Sequence, residues 1–221
     1  MSVVSPHRVV QVLLERHGRT FAEELGINLA ANSPEVLFRW LCAALLLSAR
    51  IRAGNAMRAA RALTDRGWMT AQDMAAATWE ERTHVLNQAG YARYDESTAR
   101  MLGSTAELLL AEYGGDLRRL RHVAGHDPGQ ERELLKACKG VGEVGVDIYF
   151  RELQVAWQEL YPFADRKALR TAALLGLPSD AEGLAQLVPH HELARLVAAL
   201  VRVSLAREVA SVLEAVAPDV V

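Results

Sequence analysis

The chain has 221 residues, 51% of them hydrophobic, which is enough to bury the core of one large domain or two small lobes. Its formal net charge of −2 excludes a protein that is basic all over, although a local basic patch can still bind phosphate. The two cysteines, Cys42 and Cys138, fit neither a metal site nor a disulfide framework and favour a reducing, intracellular location. We expect no signal peptide and no membrane-spanning segment.

The chain is predicted to be mostly helical, because Ala, Leu, Arg and Glu are abundant and β-branched residues rarely alternate with polar ones. Ser5-Pro6 and Ser33-Pro34 each begin a helix, with serine as the N-cap and proline at the first helical position. The second of these helices is strongly apolar and ends in Leu-Ser-Ala-Arg at Arg50. We therefore expect an all-α protein with about ten to twelve helices and essentially no sheet.

A run of basic residues follows, around a helix predicted from Gly54 to Arg66. A charge run of this kind is usually a solvated helix face, and the local sequence favours that interpretation. The basic residues are Arg50, Arg52, Arg58, Arg61 and Arg66.

The next elements are two short helices and one long one. Thr70 and Thr78 are placed to cap the short helices. A loop that contains Tyr91 and Tyr94 then leads into a long helix, predicted over Glu96 to Tyr113.

Two glycines, Gly140 and Gly142, interrupt the helical pattern inside the segment LLKACKGVGEVGVDIYFREL. Glycines this close together mark a turn, so we predict a helix, a tight hairpin and a second helix over residues 130–153. The apolar face of the second helix is predicted to continue to Trp157. Free N–H groups at the start of that helix suit a phosphate oxygen, whereas the alternative is an ordinary helix cap followed by a packed helix.

Asp165 lies 23 residues after Gly142, at the start of another predicted helix. Aspartate is a good N-cap, which is the ordinary explanation for its position. Arg166 and Lys167 follow in the first turn, where cations oppose the helix dipole, and this placement suits residues that face phosphate. From Pro189 the chain is predicted to close with one long apolar helix or two stacked ones.

The hairpin and the aspartate together resemble the helix-hairpin-helix base-excision DNA glycosylase superfamily, the group that contains endonuclease III. The resemblance covers about Ser33 to Leu177 and includes the Leu-Ser-Ala-Arg segment and the glycine–aromatic loop. It implies a two-lobed helical fold with a DNA cleft between the lobes. Residues 32–158 would form a helical barrel lobe that ends in the hairpin motif, and 1–31 with 159–221 would form the second lobe. The matching motif residues are Cys138-Lys139-Gly140-Val141-Gly142, Asp165 and Leu175-Gly176.

The resemblance also implies a role for each matching residue. Asp165 would stabilise the oxocarbenium-like sugar and activate water for hydrolysis of the N-glycosidic bond. Arg50 would fill the gap that an extruded base leaves in DNA, although an ordinary surface arginine is the alternative. The residues implied to bind DNA are Lys139, Gly140, Val141, Gly142, Arg50, Arg166 and Lys167.

Two departures from the family pattern limit the chemistry. Val144 stands where the bifunctional members carry the lysine that forms a Schiff base, so no AP-lyase activity is expected. No cysteine follows Cys138, so we expect no iron–sulfur cluster and no other cofactor.

Two pairs of histidines lie close together in the sequence, His122 with His126 and His190 with His191. Neither pair has supporting ligands nearby, so no metal site is expected either. The aromatic candidates for a base pocket, each also a candidate for the core, are Trp40, Tyr91, Tyr94 and Tyr149.

We therefore predict a monofunctional DNA glycosylase that flips a damaged or mismatched base out of double-stranded DNA. It would be an intracellular monomer without membrane contact, associated with the nucleoid if bacterial. The alternative is a catalytically inactive helix-hairpin-helix protein that recognises damaged or distorted DNA. A third hypothesis uses the hairpin for protein contacts only.

Overall fold

Every regular element of the computed structural model, which describes residues 5–217, is helical. This confirms the predicted all-α class. The fourteen α-helices exceed the predicted ten to twelve, because short helices such as the four-residue α2 give no periodic pattern in the sequence. The α-helices are α1 Pro6–His17, α2 Phe21–Glu24, α3 Pro34–Ser48, α4 Ala53–Asp65, α5 Ala71–Ala76, α6 Trp79–Gln88, α7 Asp95–Tyr113, α8 Leu117–Val123, α9 Pro128–Lys136, α10 Glu143–Leu153, α11 Arg166–Leu174, α12 Ala181–Ala185, α13 Leu193–Ala206 and α14 Val209–Val216. Three 3₁₀ turns lie at Leu29–Ala31, Gln158–Leu160 and His190–Glu192.

The chain separates into two compact units. One comprises Leu25–Tyr149, and the other comprises the N-terminal segment up to Glu24 with the C-terminal segment from Phe150. The lobe limits predicted from the sequence were 32 and 158, and the outermost predicted residues, 1–4 and 218–221, lie outside the described part of the chain. The division into a hairpin lobe and a second lobe with a DNA cleft stays a prediction.

The unit Leu25–Tyr149 is built around α3, whose apolar residues are buried on nearly every side. Helices α4 and α8 pack against α3, and α7 packs against α5, α6 and α8. Trp40 is fully buried, and its indole Nε1 donates a hydrogen bond to the backbone oxygen of Tyr149 at 3.0 Å. Helix α10 is thereby held against α3, and a Cβ built on Gly145 at its start would lie 3.8 Å from Ser48.

Side-chain caps begin several helices of this unit, as the sequence indicated. Ser33 Oγ accepts a hydrogen bond from the backbone nitrogen of Val36. Thr70 and Thr78 each form a complete capping box with the acidic residue three positions later. These caps satisfy N–H groups that the first helical turn leaves unpaired, so the predicted starts of α3, α5 and α6 are confirmed.

Helix α13 forms the apolar centre of the other unit, and α1 and α11 pack against it. The described part of the chain ends with two helices, α13 and α14, where one long apolar helix or two stacked ones were predicted. Arg207 separates them in the left-handed conformation with φ 61°. Glu152 is buried in this unit, where its carboxylate oxygens accept hydrogen bonds from the backbone nitrogens of Phe21 and Ala22 at 2.9 and 2.8 Å. The carboxylate thereby occupies the N-terminus of α2, which it stabilises.

The predicted continuation of α10 to Trp157 is wrong, because the helix ends at Leu153. The side chain of Gln154 donates to the carbonyl oxygen of Arg151 at 2.7 Å, where a longer helix would place a backbone N–H. The same side chain also accepts from the backbone nitrogen of Phe163 at 3.0 Å. Trp157 is fully buried all the same, because a turn rather than a helix brings it into the core.

Candidate functional site

The hairpin occupies residues 137–142, between α9 and α10. Its turn is closed by a hydrogen bond from the backbone nitrogen of Val141 to the oxygen of Cys138 at 3.0 Å. Gly140 has φ +91°, a conformation that other residues rarely adopt. Gly142 then leads into α10, whose first hydrogen bond runs from Val146 N to Gly142 O at 3.0 Å.

Helix α7 packs against the hairpin through Met101 and Thr105. A Cβ built on Gly140 would lie 2.6 Å from the Sδ atom of Met101, so only glycine fits there without a shift. The hydroxyl of Thr105 donates a hydrogen bond to the backbone oxygen of Lys139 at 3.2 Å. Cys138 and Val141 are buried, which anchors both sides of the turn. The shape of the hairpin is therefore fixed by contacts within its own unit.

The outer surface of the hairpin is exposed. Lys139, Gly140, Gly142 and Glu143 all face solvent, and no side chain lies within 4 Å of a Cβ built on Gly142. Val144, at the position of the lyase lysine in the resembling family, is 59% exposed and carries no amine. The burial of Cys138 raises the pKa of its thiol to about 12, so it is not a nucleophile at neutral pH. The exposed hairpin thus offers backbone N–H groups and one ammonium group, but no reactive side chain of its own.

Two carboxylates lie near the hairpin, and basic side chains pair with both. Arg132 donates to Glu143 at 2.9 Å and to Asp147 at 2.8 Å. Lys136 lies 2.6 Å from the other oxygen of Glu143, and this ammonium, followed by the Arg132 guanidinium, holds the pKa of that carboxyl below its usual value. Both carboxylates lie beside the predicted phosphate contact, and these ion pairs reduce the repulsion between the carboxylates and a phosphate.

Asp165 is the N-cap of α11, as predicted. Its Oδ1 accepts hydrogen bonds from the backbone nitrogens of Lys167 and Ala168 at 2.8 and 3.1 Å. Its Oδ2 accepts a charge-assisted hydrogen bond from Arg151 Nε at 2.6 Å. Asp165 is 6% exposed and Arg151 is 5% exposed, so the two charges form a buried ion pair.

Arg151 is the partner that the sequence analysis missed. The signal was present, because Arg151 and Glu152 are charged residues within an apolar stretch of α10, and the whole stretch is buried. Charged residues inside a buried segment require partners. The sequence could not show which carboxylate that partner is.

The remaining predicted DNA-binding residues are exposed. Arg166 and Lys167 lie in the first turn of α11, beside Asp165 in the same unit. Arg50 is exposed just after α3 ends, in the unit that contains the hairpin.

The four candidate aromatic residues divide into two pairs. Trp40 and Tyr149 are fully buried core residues. Tyr91 and the half-buried Tyr94 line a cavity of about 180 Å³ that Gly140 of the hairpin also borders. The hydroxyl of Tyr91 donates to the backbone oxygen of Leu46 at 3.2 Å, which fixes its ring. The second pair therefore lines the cavity that the hairpin borders.

The described residues contain no group of three or more His, Cys, Asp or Glu side chains that could hold a metal ion. Cys42 and Cys138 are buried free thiols. No helix within residues 5–217 is both long enough and apolar enough to cross a membrane.

No protein-family model matches this sequence, and no curated protein matches it at a significant level. A solved structure of a trapped endonuclease III–DNA covalent intermediate, in an estranged-adenine complex, is similar to this chain. The match covers 74% of this chain and 71% of that chain, with 20% sequence identity and a TM-score of 0.47. Similarity at this level assigns neither an activity nor a residue role to this chain.

Proposed function

We propose that this protein binds DNA through the hairpin at residues 137–142 and recognises damaged or distorted duplex DNA. The observation that carries the proposal is the hairpin itself, a rigid turn with an exposed glycine backbone and the exposed Lys139. Backbone N–H groups at the start of a helix bind phosphate oxygens well, because the helix dipole is positive there. The pairing of Glu143 and Asp147 with basic side chains keeps the local repulsion low.

Recognition of distorted DNA is proposed because the hairpin lies beside a cavity with aromatic walls. Tyr94 is half-buried on the rim of the 180 Å³ cavity, together with Gly140. Unstacked bases gain about 1–3 kcal/mol each from stacking on aromatic side chains. Lesions and mismatches unstack bases more easily than matched pairs do. A duplex held at the hairpin would therefore bind more tightly where its bases are already loosened.

A second candidate function is hydrolysis of an N-glycosidic bond, with Asp165 as the catalytic carboxylate. The observation that favours it is the position of Asp165 at the N-cap of α11, where two backbone N–H groups would orient the carboxylate. In this reaction water attacks the anomeric carbon, the bond to the base breaks, and the water proton passes to the carboxylate or to the leaving base. Because Val144 carries no amine, the product would be an intact abasic strand rather than a cleaved one.

The geometry supports DNA binding more directly than hydrolysis. A carboxylate stabilises a positive sugar only if it can reach the sugar and its charge is not already balanced. Asp165 is buried, and its charge is balanced by Arg151 at 2.6 Å. Hydrolysis would require Arg151 to leave Asp165 first, whereas binding at the hairpin requires no rearrangement within its unit.

A single-turnover screen separates the two functions. The substrates are duplex oligonucleotides with uracil, thymine opposite guanine, an oxidised pyrimidine, 8-oxoguanine, an alkylated purine or an abasic site, each read with and without hot alkali. We expect no cleavage of any duplex, and tighter binding to one or more of them than to matched DNA when affinities are measured by fluorescence anisotropy. Alkali-dependent cleavage that disappears in Asp165→Asn would establish the glycosylase instead, provided that the variant is shown by circular dichroism to be folded. Cleavage without alkali, trapped by borohydride, would contradict the interpretation of Val144.

A charge variant tests the hairpin through the salt dependence of DNA affinity, measured by fluorescence anisotropy. We expect Lys139→Gln to weaken binding to every duplex and to reduce the slope of log affinity against log salt by about 0.9, as expected for one lost phosphate contact. The matched control is Arg16→Gln, which removes one exposed positive charge on α1 in the other unit. If both variants behave alike, the hairpin lysine does not contact DNA.

A further inference from the structure

Three arginines line an open groove between α4 and α6, away from the residues assigned above. The groove has a volume of about 550 Å³. Arg58 and Arg61 project from α4, Arg66 follows its last residue, and all three are exposed. Asp65 lines the groove as well, so the lining carries three positive charges and one negative charge. Glu81 lies 4.0 Å from Arg66 at the edge of the groove and reduces the net positive charge there.

Arg58 is held in place by a small network. The Nδ2 atom of Asn55 donates to the backbone oxygen of Gly90 at 2.9 Å, and its Oδ1 accepts from Arg58 Nη2, also at 2.9 Å. Gly90 has φ +82°, and a Cβ built there would lie 3.2 Å from the same Nη2 atom. Glycine therefore leaves room for the guanidinium at this edge of the groove. A guanidinium that is already ordered loses less conformational entropy when it binds an anion.

The spacing of the arginines suits a chain of phosphates. Residues 58 to 66 span about 12 Å along a helix axis at about 1.5 Å per residue. A DNA strand carries one phosphate for about every 3.4 Å along the duplex axis, so the row is as long as roughly three or four phosphates. Guanidinium groups form paired hydrogen bonds with phosphate oxygens. A polyanion with regularly repeated phosphates therefore fits the row better than a single phosphate ion does.

The loop at residues 90–94 connects this groove to the hairpin. Gly90 packs on Arg58 at one end of the loop. Tyr94 at the other end lines the small cavity with Gly140 of the hairpin. Arg93 is exposed between them and lies over the Tyr94 ring at 5.3 Å from its centroid. The loop, which carries the exposed Arg93, thus contacts the groove at one end and the hairpin cavity at the other, all within one unit.

We propose that the α4–α6 groove is a second phosphate-binding surface, which holds the sugar–phosphate backbone of the same duplex that the hairpin binds. The proposal rests on the DNA-binding function proposed above. Binding at the groove would extend the contacted DNA beyond the hairpin, over a segment in which the protein contacts phosphates and no bases. Phosphate contacts of this kind fix the position of a protein on DNA and do not read its sequence.

The test compares salt-dependent DNA binding of two double variants. Arg58→Gln/Arg61→Gln removes two charges from the groove, and Arg8→Gln/Arg16→Gln removes two exposed charges from α1 as the matched control. Affinity for a fluorescent duplex is measured by anisotropy over a salt series. We expect the groove variant to bind more weakly at every salt concentration and to lower the slope of log affinity against log salt by about 1.8, since two phosphate contacts are lost. The control should keep the wild-type slope within error.

The outcomes separate this proposal from the proposed function. If Lys139→Gln weakens binding and the groove variant matches its control, the groove proposal is overturned and the hairpin function stands. If the groove variant alone lowers the slope, the groove binds nucleic acid and the hairpin function fails. A duplex long enough to cover only the hairpin should lose the groove effect, whereas a longer one should restore it. Displacement of the duplex by an equally charged polyglutamate peptide at similar concentration would instead identify a protein-docking surface and overturn the proposal.

A charge-conserving variant checks that the effect arises from the groove charges. Arg58→Lys/Arg61→Lys keeps both charges and should restore most of the wild-type salt slope. Thermal melting of all variants should agree within a few degrees, because the altered side chains are exposed. A groove variant that keeps the wild-type slope while melting normally would overturn the proposal.

Discussion

At the scale of single residues, Asp165 has two structural roles that compete with catalysis. It caps α11 through Oδ1 and balances Arg151 through Oδ2, with both side chains almost fully buried. Asn can still act as an N-cap, but Asp165→Asn removes the carboxylate that pairs directly with the buried Arg151. Removal of one partner from a buried pair costs about 3–5 kcal/mol of unfolding free energy. We expect Asp165→Asn to lose stability in that range, measured by urea denaturation.

The double variant Arg151→Met/Asp165→Asn is the control for this prediction. It removes both charges and should recover most of the lost free energy, because a buried pair can often be replaced by apolar groups at little cost. Wild-type stability of the single variant would contradict the importance of the pair. The same data decide whether a loss of activity in Asp165→Asn reports chemistry or folding.

Glu152 provides a test of pH dependence. Burial raises the pKa of this carboxyl above its ordinary value, against the opposing effect of the two backbone N–H groups and of Arg151 and Arg202. Since the folded pKa is raised, the native state binds more protons than the unfolded state in the window above about pH 4.5. The contribution of Glu152 is therefore fully present below that pH and is lost as pH rises through the folded pKa.

Glu152→Gln removes this titration. The variant is expected to be less stable at every pH by about 1–3 kcal/mol, because the amide places an NH2 donor where one of the two carboxylate oxygens accepts a backbone N–H. The gap between wild type and variant should be largest near pH 4 and should narrow toward pH 7, as measured by denaturant unfolding across that range. A gap that widens with rising pH would mean that folding lowers the pKa of this carboxyl instead of raising it.

At the scale of elements, the hairpin contains two glycines with different requirements. Gly140 needs its glycine for the fold, because φ is +91° and a Cβ would meet Met101. Gly142 has open space around its Cβ position and no positive φ. We expect Gly140→Ala to destabilise the protein by about 1–3 kcal/mol and Gly142→Ala to leave the melting temperature nearly unchanged. Thermal melts of the two variants check this contrast, and equal losses would contradict the described hairpin geometry.

The elements also show how far the sequence determines local structure. The starts of α3, α5 and α6 were predictable, because a Ser or Thr cap depends on residues only three positions away. The end of α10 was not, because it depends on the side chain of Gln154, which bonds to Phe163 nine residues further along. The break at Arg207 between α13 and α14 is marked by neither Gly nor Pro, so no composition signal showed where it lies.

At the scale of the whole molecule, the sequence predicted single site residues better than their partners. The hairpin and the capping position of Asp165 follow from local motifs. The pairing of Arg151 with Asp165, and of Arg132 with Glu143 and Asp147, depends on how elements pack and could not be read from spacing. These pairs changed the functional conclusion, because they neutralise the acidic surroundings of the hairpin and balance the proposed catalytic charge.

The net charge of −2 describes the whole chain and does not show where its charges lie. It argues against a protein that binds DNA over its entire surface, yet Lys139 is exposed on the hairpin and three exposed arginines line the groove beside α4. Phosphate binding depends on local charge and on released counterions, so a neutral protein with a basic strip can still bind DNA in a salt-dependent way.

The most direct test of the central claim uses Gly142→Ala, since this change leaves the fold intact and adds one methyl group to the exposed hairpin. Binding of wild type and variant to a duplex with an abasic site is measured by fluorescence anisotropy at low and moderate salt. If the hairpin backbone approaches a phosphate closely, wild-type affinity falls with salt and the variant binds roughly tenfold more weakly at an unchanged melting temperature, a loss of about 1.4 kcal/mol. Equal affinities for the two proteins, or a wild-type affinity that does not change with salt, would contradict DNA binding through the hairpin.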